Sequence, residues 1–129
     1  MLADTTFLID YLEGKDAVAE LLSNRPADPG IATSALNIKE VAVGEMIVAD
    51  ADSHSINRRF GWLDVLPFSR SHAYRAASME ASLREAGSFE PSLLVDILTA
   101  AVAVEERRPV LTRNVSDFES IPEVAIETY

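Results

Sequence analysis

The chain has 129 residues, no cysteine, 48% hydrophobic residues and 21 acids against 11 bases, a formal net charge of −10. The length fits one domain over 1–129, the apolar content excludes general disorder, and the cysteine count excludes a disulfide framework or a thiolate metal site, while His54 and His72 are too few and too far apart for zinc. No apolar run approaches the ~20 residues of a membrane span and no secretory signal opens the chain, so a soluble, cytoplasmic protein is expected, one too acidic to hold nucleic acid non-specifically.

In chain order, residues 1–4 read as a very short apolar strand ending in Asp4. Thr5 and Thr6 are expected to cap a helix over 7–12 that stops at Gly14. A second short helix follows over 16–22, then a turn over 24–30, rich in Pro, Asn, Asp and Gly. A strand over 31–33 leads to Ser34, the expected cap of a longer helix reaching about residue 49. A helix over 52–61, a strand over 62–67 and a helix over 70–86 closed by Gly87 come next. After a loop over 88–91, Ser92 is expected to cap a helix to about 106, with Arg107 and Arg108 in its last turn. A strand over 109–111, a turn or short helix over 114–118 and a strand over 124–126 complete the chain. Short strands alternating with longer helices predict an α/β domain with a mostly parallel central sheet flanked by helices. Ligands of such sheets sit beyond the carboxyl ends of the strands. Asp4, the helix carrying Glu40, and Thr112-Arg113-Asn114 follow strands in this way.

Three acids stand in unexpected company. Asp96 lies within Leu93-Leu94-Val95-Asp96-Ile97-Leu98, and at helical spacing its face contains Ser92, Thr99, Ala100 and Ala103, all small. An unpaired carboxylate in such a place costs several kcal/mol; a capping or ion-paired aspartate is the ordinary alternative. Asp4 could simply cap the first helix, and Glu40, which shares a face with Leu36, Val43 and Gly44, could be a solvated helix acid. Taken together, the three can project to one end of the sheet. Clustered carboxylates repel and need protons or cations, and an all-oxygen set suits Mg²⁺ or Mn²⁺. The chemistry of such a centre is metal-assisted phosphodiester hydrolysis.

The chain resembles the PIN domains on three blocks in order: Met1-Leu2-Ala3-Asp4-Thr5-Thr6; Thr33-Ser34 through Glu40 to Gly44; and Asp96 through Ala103, then Val110-Leu111-Thr112-Arg113-Asn114 with Asp117-Phe118. The likeness spans nearly the whole chain and is strongest to the ribonuclease toxins of VapBC-type toxin–antitoxin pairs. It implies a PIN fold and a Mg²⁺- or Mn²⁺-dependent endoribonuclease leaving 5′-phosphate and 3′-hydroxyl ends. Asp4, Glu40 and Asp96 match the three central acids. At the fourth position many members have Asp where this chain has Asn114; Asp117 is the nearest carboxylate, so the implied metal-holding set is Asp4, Glu40, Asp96, Asn114 and Asp117, with the four acids catalytic. Thr6 and Thr112 match hydroxyls that orient the carboxylates, and Asp10 reads as structural or solvated. Arg58, Arg59, Arg70, Arg75, Arg84 and Arg113 are candidates for a basic strip on RNA, Arg113 first because it adjoins the site. The resemblance further implies a homodimer and a cognate antitoxin whose basic tail residue neutralises the acids.

A PIN fold without catalysis, serving as a protein-binding module, is the competing reading, and Asn114 is its support. A phosphoacceptor receiver domain would need an acidic pair after the first strand and a lysine after the last, and a haloacid-dehalogenase phosphatase an Asp-x-Asp at the first strand; the chain has none of these.

Overall fold

Leu2 and Ala3, fully buried, form the central strand of the computed structural model, which describes residues 1–27 and 30–129. Successive strand residues face opposite sides of a sheet, and here both sides are covered. Leu2 packs with Ala32, Val110 and the helices α5 (Arg70–Glu85), α6 (Leu94–Glu105) and α7 (Val115–Glu119). Ala3 packs with Ile31, Leu111 and the helices α1 (Thr5–Leu12), α2 (Asp16–Ser23), α3 (Ala35–Val48) and α4 (Ser53–Arg59). The result is a sheet sandwiched between two helical layers, which explains why its inner strands at Leu2–Ala3 and Val110–Leu111 are apolar on both faces.

Among the described residues the sheet has five strands: β1 (Leu2–Ala3), β2 (Ala32–Ser34), β3 (Asp64–Leu66), β4 (Val110–Leu111) and β5 (Ile126–Glu127). They lie in the order β3-β2-β1-β4-β5 and every pairing is parallel. β1 is flanked by β2 through Leu2↔Ala32 and Ala3↔Thr33, and by β4 through Leu2↔Val110 and Ala3↔Leu111. The chain therefore winds outward on both sides of β1, and the crevice that such a reversal opens lies directly beyond Ala3. Among the described residues no helix is long and apolar enough to cross a membrane.

Several local expectations are corrected. The cap of α1 is Asp4, whose side chain accepts from the Phe7 N–H, so the helix starts at Thr5 and not near Phe7. Ser92 makes no cap: it sits in a 3₁₀ turn over Pro91–Leu93, and α6 begins at Leu94. Arg107 and Arg108 lie past the end of α6. Arg107 takes a left-handed φ of 55°, and the N–H groups of Arg107 and Arg108 close back on the Val104 and Ala103 carbonyls. Gly87 ends α5 by the same motif at φ 69°, there without a Cβ penalty. The last two strands of the chain are trimmed or shifted from expectation, β5 covering Ile126–Glu127 and not 124–126. The turn expected over 24–30 falls partly on residues 28 and 29, outside the described residues.

Candidate active site

Asp4 stands immediately after β1, 3% exposed, and three donors hold its carboxylate. Oδ1 accepts from the Phe7 N–H at 3.0 Å and the Thr6 hydroxyl at 2.7 Å; Oδ2 accepts from the Thr112 hydroxyl at 2.6 Å. Thr6 belongs to α1 and Thr112 follows β4, the neighbour of β1, so the two hydroxyls reach Asp4 from adjacent elements and lie 3.3 Å apart. Burial raises the Asp4 pKa above its ordinary value, and the hydrogen bonds from Thr112, Phe7 and Thr6 oppose that rise. Thr112→Val keeps the shape and removes one opposing bond. We expect it to weaken divalent-metal affinity by about tenfold, the usual effect of losing a group that orients a ligand, read by isothermal titration with Mn²⁺; an unchanged affinity would refute this use of Thr112.

Glu40 projects from α3, and Thr5 at the start of α1 donates its hydroxyl to Glu40 Oε2. Behind Thr5 lies Asn37, 1% exposed. Its amide nitrogen donates to Thr5 Oγ1 at 3.1 Å and to Thr99 Oγ1 at 3.0 Å, its amide oxygen accepts from Ser34 Oγ at 2.6 Å, and its backbone N–H donates to the same Ser34 Oγ. One buried side chain thus ties β2, α1 and α6 together underneath the acids. Sequence reading missed Asn37, Thr5 and Thr99 as site residues. The available signal was that Asn37 falls three residues after the cap Ser34 and three before Glu40, hence on Glu40's side of α3.

Asp96 lies in the first turn of α6 and feels three other carboxylates. Burial first, then the charges of Asp117, Asp4 and Glu40, push its pKa up to about 6. These four acids come from the end of β1, from α3, from α6 and from α7, and the fold brings them into one electrostatic neighbourhood. Asp117 is held by Asn114, whose amide donates to Asp117 Oδ2 at 2.6 Å, while the Asn114 N–H donates to Thr112 Oγ1 at 2.8 Å. Asn114 is therefore engaged in aiming Asp117.

Arg113 borders the acids from the β4–α7 segment. Its N–H donates to Thr6 Oγ1 at 3.4 Å and its guanidinium Nε lies 3.1 Å from Asp10 Oδ2. Asp10 is buried, so it is structural and not solvated. Among the other arginines expected in a basic strip, Arg59 pairs with Glu45, Arg75 with Glu105 and Glu123, and Arg84 with Glu80, also lying over the Phe89 ring. These three serve ion pairs at the surface.

Among the described residues no three acids stand in a ready-made coordination sphere. Like charges keep carboxylates apart when nothing neutralises them. The donor set itself fits a hard divalent cation: every side chain offered is an oxygen ligand, and the raised pKa of Asp96 marks a place where positive charge relieves repulsion.

A family model described as PIN domain matches residues 1–124. A comparison with curated protein sequences finds no match. Solved structures similar to this chain include a toxin–antitoxin complex from Klebsiella pneumoniae, at 27% identity and TM-score 0.71, covering 96% of this chain and 94% of that one. The VapBC2 structure from Rickettsia felis bound to a promoter DNA fragment matches at 19% identity and TM-score 0.77, over 99% and 97% of the two chains. VapBC-1 from nontypeable Haemophilus influenzae matches at 17% identity and TM-score 0.78, over 98% and 96%.

Proposed function

This chain belongs to the PIN domain family, and from that membership we propose that it is a Mg²⁺- or Mn²⁺-dependent endoribonuclease, one PIN domain over 1–129, acting in the cytoplasm as the toxin of a VapBC-type pair. The observation that carries the reading is Asp4, buried beyond the carboxyl end of the central strand and clasped by Thr6, Thr112 and the Phe7 N–H, with Asp96 near enough that the charges of Asp117, Asp4 and Glu40 add to the burial that raises its pKa. Asp4 also caps α1, but four carboxylates gathered from four elements repel one another, a cost that a bound cation would offset.

Asp4, Glu40, Asp96 and Asp117 would hold the cation, with Asn114 as the orienting neighbour of Asp117. When bound there, the metal supplies water activation and neutralises charge on a phosphodiester. The protein's part is positional. Thr6, Thr112 and the Phe7 N–H fix the plane of the Asp4 carboxylate, Thr5 fixes Glu40, and Arg113 at the rim offers a cation to the incoming RNA phosphate against the overall charge of −10. The non-catalytic alternative has its support in Asn114, yet Asp117, held by that same Asn114, carries the fourth charge.

The partner implied is an antitoxin, because similar chains are found in toxin–antitoxin complexes; a homodimer is part of the same proposal. The test is cleavage of single-stranded RNA with Mg²⁺, Mn²⁺ or excess chelator. Cleavage is expected with either metal and none with chelator. RNA cut equally well in chelator, or left intact with both metals, would overturn the assignment.

A further inference from the structure

Asp10 and Tyr129 lie outside the acid group and are joined to it through Arg113 and through Thr6, which the Tyr129 hydroxyl also meets. Asp10 is on the Thr6 side of α1, one turn further along. Its Oδ2 accepts from the Tyr129 hydroxyl at 2.8 Å and pairs with the Arg113 Nε at 3.1 Å. Its Oδ1 is buried without a partner. Among the described residues, the two contacts at Oδ2 are what compensates this carboxylate. Tyr129 is itself located by Phe7, a fully buried ring that meets it edge to face at 5.2 Å between centroids. Arg113 spends only Nε on Asp10. Its two terminal nitrogens have no partner among the described residues, and its side chain is 56% exposed.

We propose that Tyr129 and Asp10 are positioning residues that fix the Arg113 guanidinium at the rim of the acid group, terminal nitrogens outward, to grip a phosphate of single-stranded RNA flanking the one that is cut. The proposal rests on the ribonuclease reading above. An arginine restrained at one nitrogen presents the rest of its planar fork in a set orientation, so less freedom is lost when it takes a phosphate. Tyr129 holds the Asp10 carboxylate in one plane through Oδ2; without the phenol that plane is free to turn and the Arg113 fork turns with it. The separation of 119 positions between Tyr129 and Asp10 makes this a contact of the folded chain alone.

The experiment measures binding of a labelled single-stranded RNA by anisotropy at several salt concentrations, and cleavage kinetics in Mn²⁺, for wild type, Tyr129→Phe, Asp10→Asn, Arg113→Lys, Arg113→Ala and the Tyr129→Phe/Arg113→Ala double variant. Tyr129→Phe keeps the ring contact with Phe7 and removes only the hydroxyl. Arg113→Ala is expected to weaken RNA binding about tenfold and to flatten the log–log salt slope by about 0.7. Arg113→Lys, which keeps the charge without the fork, falls between. Tyr129→Phe and Asp10→Asn are expected to weaken binding about threefold to fivefold, raising KM with kcat within about twofold. The double variant should match Arg113→Ala alone. Additive effects in the double variant, a Tyr129→Phe change in kcat with KM unmoved, or RNA binding indifferent to Arg113 would each overturn the proposal, as would a wild type that binds no RNA. A wild type that binds RNA through Arg113 but cuts none with either metal would instead refute the nuclease reading and leave the positioning result standing. Should Asp10→Asn unfold, Tyr129→Phe and the double variant still decide.

Discussion

Asp96→Asn is expected to abolish metal-dependent RNA cleavage while making the metal-free protein more stable. The first part follows from the proposed metal-holding role of Asp96: losing several kcal/mol of transition-state stabilisation means a fall of at least about a hundredfold. The second follows from the direction of the pKa change. The Asp96 pKa rises on folding from 3.8 to about 6, so the folded state disfavours the ionised form. That penalty is in force above about pH 6, shrinks as pH falls from about 6 towards 3.8, and is gone below it. At pH 7 it amounts to about 1–2 kcal/mol, less than the full linkage value because Asp96 is only half-buried. Asparagine carries no charge and escapes it, so the variant in chelator should melt a few degrees higher at pH 7 and lose the gain in stability that wild type shows on acidification between pH 6 and 4. Mn²⁺ should raise the melting temperature of wild type by mass action and leave the variant unmoved. Thermal melts across pH with and without Mn²⁺ measure all of this. A variant that melts below wild type in chelator at pH 7, or still cleaves at the wild-type rate, would show that Asp96 is an ordinary structural acid.

Asn37→Ala should be the most damaging change outside the acids. Its side chain satisfies the hydroxyls of Ser34, Thr5 and Thr99, all within hydrogen-bond reach and mostly buried. Truncation strands those hydroxyls and leaves a small void, which together cost about 3 kcal/mol and lower the melting temperature by on the order of 10 °C. Thr5 then loses the donor that orients it toward Glu40, so Mn²⁺ affinity should fall about tenfold even below the melting transition. Thr99→Val, which breaks only one arm of the network, should cost about 1 kcal/mol with metal affinity nearly intact. Urea denaturation and Mn²⁺ titration separate the two effects. Equal stability losses from Asn37→Ala and Thr99→Val would contradict the account of Asn37 as the hub.

The parts of this molecule that the sequence made legible are those written in local pattern. The alternation of short apolar strands with longer helices is enough for a parallel α/β sheet. Asp4, Glu40 and Asp96 stand out because each sits among apolar or small residues, where a charge requires a reason. Asp117 drew notice only because Asn114 occupies the place where an acid was expected, and the hydrogen bond between the two could not be read from spacing alone. What stayed hidden depends on contacts between distant segments. Asn37 and Thr99 are 62 residues apart, and nothing in either helix's periodicity announces their meeting. Asp10 looks like a residue on the outer side of a short helix until Arg113 and Tyr129 close over it. The misplaced caps have a physical cause too: Asp4 competes with Thr5 and Thr6 for the same helix start, and its carboxylate, the stronger acceptor, takes the Phe7 N–H.

The two-residue strand at positions 2 and 3 has its neighbours at 32–33 on one side and 110–111 on the other. During synthesis it emerges first and waits for nearly the entire chain before its second edge is covered. Thr112, which clasps Asp4, and Asp117 arrive later still. A ribosome-bound fragment short of residue 112 therefore lacks both one of the four charges and the clasp that follows β4. On the ribonuclease reading proposed above, a chain made in this order completes its acid group only after almost all of it has left the exit tunnel.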